Sequence, residues 1–112
     1  MKVQAIVDIE IYDKDADYCD VMCPYMMDSA IHCQLSGKKV RLHWVFMSAS
    51  QDNNVEVLAK IKLGSTVVYS TFLGNPGAFG HRETVEGAVD EPLKINLSAA
   101  ESVAVNWTVT EE

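Results

Sequence analysis

Long apolar runs, helical periodicity and basic charge are all scarce in this chain, and each scarcity closes off a class of protein. No run of about 18 or more consecutive apolar residues occurs in its 112 residues, so no membrane-spanning helix is expected and no membrane partner is assigned. The N-terminal stretch MKVQAIVDIEIY alternates where a secretory signal would keep an unbroken apolar centre, and the mature chain is expected to begin at Met1. Nine Lys and Arg stand against 16 Asp and Glu, a formal net charge of −7. That balance argues against nucleic acid, whose phosphates select basic faces, and suits plain solubility or docking onto a basic surface. Cysteine is limited to Cys19, Cys23 and Cys33, an odd and closely spaced set that points to a reducing cytosol and away from a secreted disulfide framework.

What the chain does have is period-two alternation. Val3, Ala5, Val7, Ile9 and Ile11 alternate with Lys2, Gln4, Asp8, Glu10 and Tyr12, only Ile6 breaking the pattern, which is that of a strand with one buried face. Alternation returns at Ala30 to Leu35 and in KKVRLHWVFMSA, where Val40, Leu42, Trp44 and Phe46 are expected on one face and Arg41, His43, Val45 and Met47 on the other. In VEVLAKIKL, Val55, Val57, Ala59, Ile61 and Leu63 alternate with Glu56, Leu58, Lys60 and Lys62. Gly64-Ser65 then punctuates the chain before TVVYSTFL. GNPGAFG reads as a loop, because neither a helix nor a central strand tolerates so much glycine and proline. HRETVEG reads as a short edge strand, PLKINL as another, and SVAVNWTV as the last, with Val103, Val105, Trp107 and Val109 inward. The fold class expected is all-β: a single β-sandwich, jelly-roll-like, of about eight short strands with a long irregular N-terminal loop. Residues 1–36 supply the first strand and that loop, and residues 37–112 the sandwich core.

The order of pieces from Gly37 to Val109 resembles small all-β proteins encoded among tailed-phage virion genes. The matching residues are Lys38-Lys39-Val40, Leu63-Gly64-Ser65-Thr66 and Leu97-Ser98-Ala99-Ala100 with the hairpin that follows. The resemblance covers about two-thirds of the chain and implies a capsid decoration or cement protein, or a head or tail fibre part, in many cases trimeric. It carries over no catalytic residue. The segment Asp13 to Cys33 departs from the resemblance.

Cys19, Cys23, His32 and Cys33 offer four zinc-type ligands, but adjacent strand residues point to opposite faces, which sets His32 and Cys33 apart. Asp13, Asp15 and Asp17 alternate as in a calcium loop, yet the places of its glycine and its last glutamate hold Tyr18 and Pro24. His43 and His81 have no nucleophile elbow to serve. No catalytic residue, metal site or cofactor is therefore assigned, and no enzyme activity is expected. Trp44, Trp107, Tyr69 and Phe79 are of the type that lines a sugar-binding face, but both tryptophans fall in phase with Val and Leu neighbours, which favours burial.

The function expected is that of a structural virion protein, made in the bacterial host cytoplasm and placed on the capsid surface, which stabilises a phage head by bridging capsomers. Its partners are the major capsid protein and, as a trimer, copies of itself. Contact is expected from Asp13, Asp15, Asp17, Tyr18, Tyr25, Met26 and Met27 of the irregular segment and from Phe79 on the glycine-rich loop. Alternatives are a carbohydrate-binding or tail-fibre module, favoured if aromatics face outward on one sheet, or a small acidic inhibitor.

Overall fold

A computed structural model describes residues 5–11, 22–23, 28–32, 36–74, 76–99 and 101–112. Ten strands lie among them: β1 (Ala5–Ile11), β2 (Met22–Cys23), β3 (Asp28–His32), β4 (Lys39–Ala49), β5 (Val57–Leu63), β6 (Thr66–Leu73), β7 (Gly77–His81), β8 (Val85–Val89), β9 (Leu93–Leu97) and β10 (Ser102–Glu111). One sheet has the order β2-β1-β10-β4-β7, with β8 also pairing β4, and the other the order β3-β9-β5-β6. Both contribute to one buried cluster, with Val40, Leu42, Val45, Met47, Val103, Val105, Trp107 and Val109 facing Ala59, Ile61, Leu63, Leu93, Ile95 and Leu97. The chain is thus an all-β sandwich, as its alternation predicts. The strand order is compatible with a jelly roll, except that β1 runs parallel to β10.

The centre of the larger sheet is the antiparallel pair of β4 and β10, in register from Ala49 opposite Val103 to Val40 opposite Glu111. Beyond the strand end, Lys39 and Glu112 exchange backbone hydrogen bonds of 2.8 and 2.9 Å. β10 keeps strict alternation: Val103, Val105, Trp107 and Val109 are all buried. β4 does not. Thr108 faces Trp44 while Val109 faces Leu42, which leaves His43 as the extra residue of a β-bulge. Past a bulge, residues of one parity move to the opposite face. Val40 and Leu42 are buried before His43, and Val45, Met47 and Ala49 after it. The expectation that Trp44 and Phe46 share the inner face with Val40 and Leu42 is corrected accordingly. Both are on the outer face, Phe46 being 40% exposed.

The eight expected strands are all present, and two more fall in stretches read as loop. β2 is a two-residue pairing with β1 inside the segment expected to be irregular. β7 begins at Gly77, within GNPGAFG. It lies at the sheet edge and pairs only β4 among the described strands, so the weak strand propensity of glycine is tolerated there. Ring cover compensates in part, because a Cβ on Gly80 would lie 3.1 Å from Phe46 Cδ2. Three strands start away from their expected bounds. The one expected from Ala30 already begins at Asp28, residues 33–35 lying outside the described residues, β5 starts at Val57, leaving Val55 49% exposed before it, and the strand expected over HRETVEG is β8 at Val85–Val89.

β5 and β6 close a two-residue hairpin, since Leu63 faces Thr66. Gly64 has φ of +62°, and Ser65 is not among the residues of positive φ, which is the pattern of a type II′ turn with glycine first. Gly37 also lies in the left-handed region, at φ +80°. Its N–H donates to Asp90 Oδ1 at 2.7 Å, and the Asp90 N–H donates to the Lys38 carbonyl at 3.0 Å, tying the start of β4 to the end of β8.

These two glycines separate backbone cost from crowding. A Cβ on Gly37 would meet nothing within 4 Å, whereas one on Gly64 would run into the Glu91 side chain. Gly37→Ala should cost about 1–2 kcal/mol, the left-handed penalty alone. Gly64→Ala should cost that and an increment for moving Glu91, whose Oε1 accepts the Ala88 N–H at 2.6 Å. Urea midpoints of the two variants test this, and equal losses would refute the crowding argument.

Candidate functional site

Most residues expected to make contacts lie outside the described residues: Asp13, Asp15, Asp17, Tyr18, Tyr25, Met26 and Met27, and likewise Cys19 and Cys33. Of the other two zinc-type ligands, Cys23 lies on β2 in the six-stranded sheet and His32 on β3 in the four-stranded sheet. His32 is fully buried, with Nε2 3.6 Å from Glu111 Oε2. Among the described residues no three His, Cys, Asp or Glu side chains converge as a metal site.

Phe79 is not the exposed anchor its glycine-rich setting suggested. It points inward from β7 opposite Met47 and packs half-buried against the core. Its ring centroid is 5.8 Å from that of Tyr69 and 6.2 Å from that of His81, while Tyr69 and His81 are 4.5 Å apart. Burial, and then the charge of Glu83, raises the Tyr69 hydroxyl above its ordinary value, and that hydroxyl donates to the Glu83 carbonyl at 3.2 Å. This three-ring cluster closes the sandwich where β6 meets β7. His43 is also structural, its Nε2 lying 2.9 Å from Thr110 Oγ1 across the bulge.

The two outer faces carry the side chains able to bind something. On the four-stranded sheet, Lys62 stands directly opposite Lys94, and Lys60 opposite Asn96. Asp28 is the carboxylate that enters this group: Lys62 Nζ donates to Asp28 Oδ2 at 2.7 Å and Asn96 Nδ2 to Asp28 Oδ1 at 3.2 Å. The lysine contact holds the Asp28 carboxyl below its ordinary value. Next to this row the outer side of β6 exposes Val67 at 45% and Phe72 at 65%. The result is a flat face, part basic and part apolar, on a chain of net charge −7. The alternation of VEVLAKIKL made the outward direction of Lys60 and Lys62 legible; the neighbourhood of Lys94 and Phe72 follows only from strand pairing.

On the six-stranded sheet the outer face holds an open groove of about 530 Å³ lined by Trp44, Phe46, Asn106, Gly80, His81 and Arg82. Asn106 and Gly80 flank Phe46 from the two neighbouring strands. The sequence signal that Trp44 and Phe46 face out is weak, because apolar residues occupy both parities of β4 and the bulge has no marker. Toward the other end of β4, the Arg41 guanidinium donates to Glu86 Oε2 at 2.7 Å and pairs with Glu112 Oε2 at 2.9 Å, clamping β8 and the chain end to the sheet. The same contact lowers the Glu86 carboxyl.

The Asp28–Lys62 pair predicts a pH dependence. A carboxyl whose folded-state pKa lies below its unfolded value of 3.8 stabilises the fold above that value and loses the contribution as pH falls through the folded one. Asp28→Asn should therefore lower the melting temperature at pH 7 and converge with the parent chain below the usual carboxylate range. A difference that persists in acid would point to packing instead of charge. Compared with known proteins, the chain matches no family model, no curated protein and no solved structure.

Proposed function

We propose that the protein is a non-catalytic structural interaction protein, a decoration or cement protein of a phage head, docking by the outer face of its four-stranded sheet. The observation that carries this reading is the lysine row Lys60, Lys62 and Lys94 beside exposed Phe72 and Val67. The likeness of the Lys38-Lys39-Val40, Leu63-Gly64-Ser65-Thr66 and Leu97-Ser98-Ala99-Ala100 pieces to virion accessory proteins supports it from the sequence side.

In this reading no bond is made or broken. Stabilisation comes from burying an interface, of the order of 800 Å² per partner for a standard contact, at a junction between capsomers. Phe72 supplies the apolar anchor, because an aromatic that is 65% exposed has most of its contact area still to gain. The lysines set orientation and association rate against an acidic patch of the major capsid protein. Trimeric assembly belongs to the same proposal. Residues 12–21 and 24–27 lie outside the described residues, and β1 before them is a sheet strand along β10.

The test is reconstitution onto particles lacking the protein, read by sedimentation and by copy number against the capsid protein. Phe72→Ser should weaken binding by about 10- to 100-fold without lowering the melting temperature. Lys60→Glu with Lys94→Glu should slow association and flatten its dependence on salt. Unchanged binding by both variants would overturn the docking face, and a few copies per particle would transfer the protein to the tail.

A further inference from the structure

The groove on the opposite face has a composition that docking through the lysine row leaves unused. We propose that it is a glycan-binding site, in which a sugar ring stacks on Trp44 and Phe46 and a carboxylate on that sugar pairs with Arg82. The proposal does not rest on the docking reading. The two faces are back to back across the sandwich, so a copy seated by its lysine row would present the groove to solvent.

Three observations carry it. First, the bulge at His43 turns two aromatic side chains, at alternate positions of a central strand, away from the core. The outward face of an antiparallel sheet is ordinarily polar. Aromatic faces carry negative quadrupole density and attract the weakly positive C–H face of a pyranose ring, a match that an aliphatic pair would not provide. Second, polar groups flank those rings at short range. Asn106, directly across from Phe46, offers an amide donor and acceptor suited to vicinal hydroxyls, and Gly80 on the other flank leaves the groove floor without a side chain. Third, the lining is cationic: Glu83, whose Oε2 lies 3.9 Å from His81 Nε2, is not among its residues. Arg82 is exposed and His81 lies beside it, and no carboxylate of a described residue lines the groove, although acids outnumber bases 16 to nine in the chain. A guanidinium with a forked set of donors fits a carboxylate.

The dimensions agree, since about 530 Å³ falls within the roughly 300–1,000 Å³ of small-ligand sites. Nucleic acid would need a longer basic track than one arginine provides.

Two tryptophans make the test direct, because Trp107 is buried and Trp44 lines the groove. The indole N–H resonance of Trp44 is assigned with Trp44→Phe and followed as trigalacturonate, or its neutral counterpart maltotriose, is added. Trigalacturonate should shift the Trp44 signal and leave Trp107 in place, with a Kd near about 1 mM or tighter. Arg82→Gln should raise that Kd about tenfold, and Trp44→Ala should abolish binding. Asn106→Ala, a small change on the outer face, should weaken it even if Trp44→Ala disturbs the fold. No shift with either sugar up to about 10 mM, or binding that survives Trp44→Ala in a folded protein, would overturn the site. Equal affinity for maltotriose would overturn the assignment of an acidic sugar.

Discussion

The antiparallel pairing of β4 with β10 is the contact on which the other elements depend. These are the longest strands, they come from distant parts of the chain, and their partnership supplies Val40, Leu42, Val45 and Met47 together with Val103, Val105, Trp107 and Val109 to one side of the core. β1 joins the sheet through β10, and β7 and β8 join it through β4. Each of those side chains is worth about 1.5–3 kcal/mol when fully buried, so the pair fixes where the second sheet must pack before any loop is considered. Because its ladder is non-local, the pairing gains little until the chain between β4 and β10 is in place.

A single irregularity in that pair decides the chemistry of the exterior. Had β4 kept strict alternation, Trp44 and Phe46 would have joined Val40 and Leu42 inside, leaving Val45 and Met47 on the surface. The extra residue at His43 exchanges the two sets and turns an aromatic pair outward over Gly80 and beside Asn106. The three-ring cluster of Tyr69, Phe79 and His81 then closes the seam at β6 and β7, which draws Phe79 inward and leaves it half-buried. The two sheets are left with different outer surfaces, one with a row of lysines beside Phe72 and one with an aromatic groove ending in Arg82.

Much of the interior was legible from residue order. The alternation in SVAVNWTV and AKIKL named the buried residues of β10 and β5, and Gly64-Ser65 marked its turn, because a half-buried strand repeats with a period of two regardless of its partner; PLKINL was legible as a strand but as an edge one, whereas β9 lies between β3 and β5. Legibility stopped at KKVRLHWVFMSA, where both parities are apolar and no local residue announces a bulge. It stopped also at GNPGAFG, where glycine content suggested a loop although an edge strand can accommodate it. The candidate surfaces were less visible still, since Lys94 meets Lys62, and Asn106 meets Phe46, only through pairings between distant segments.

By itself, then, the sequence determined that this chain is an acidic all-β protein, eight of the described strands, and which side chains of most of those face inward. These are consequences of composition and local period, which no tertiary arrangement can alter. Tertiary structure decided the parallel seating of β1 on β10, the outward turn of Trp44 and Phe46, and the gathering of lysines on one face. The physical reason is that register and sheet order are set by which strands share a ladder, a property of pairs of segments far apart in the chain and of neither segment alone.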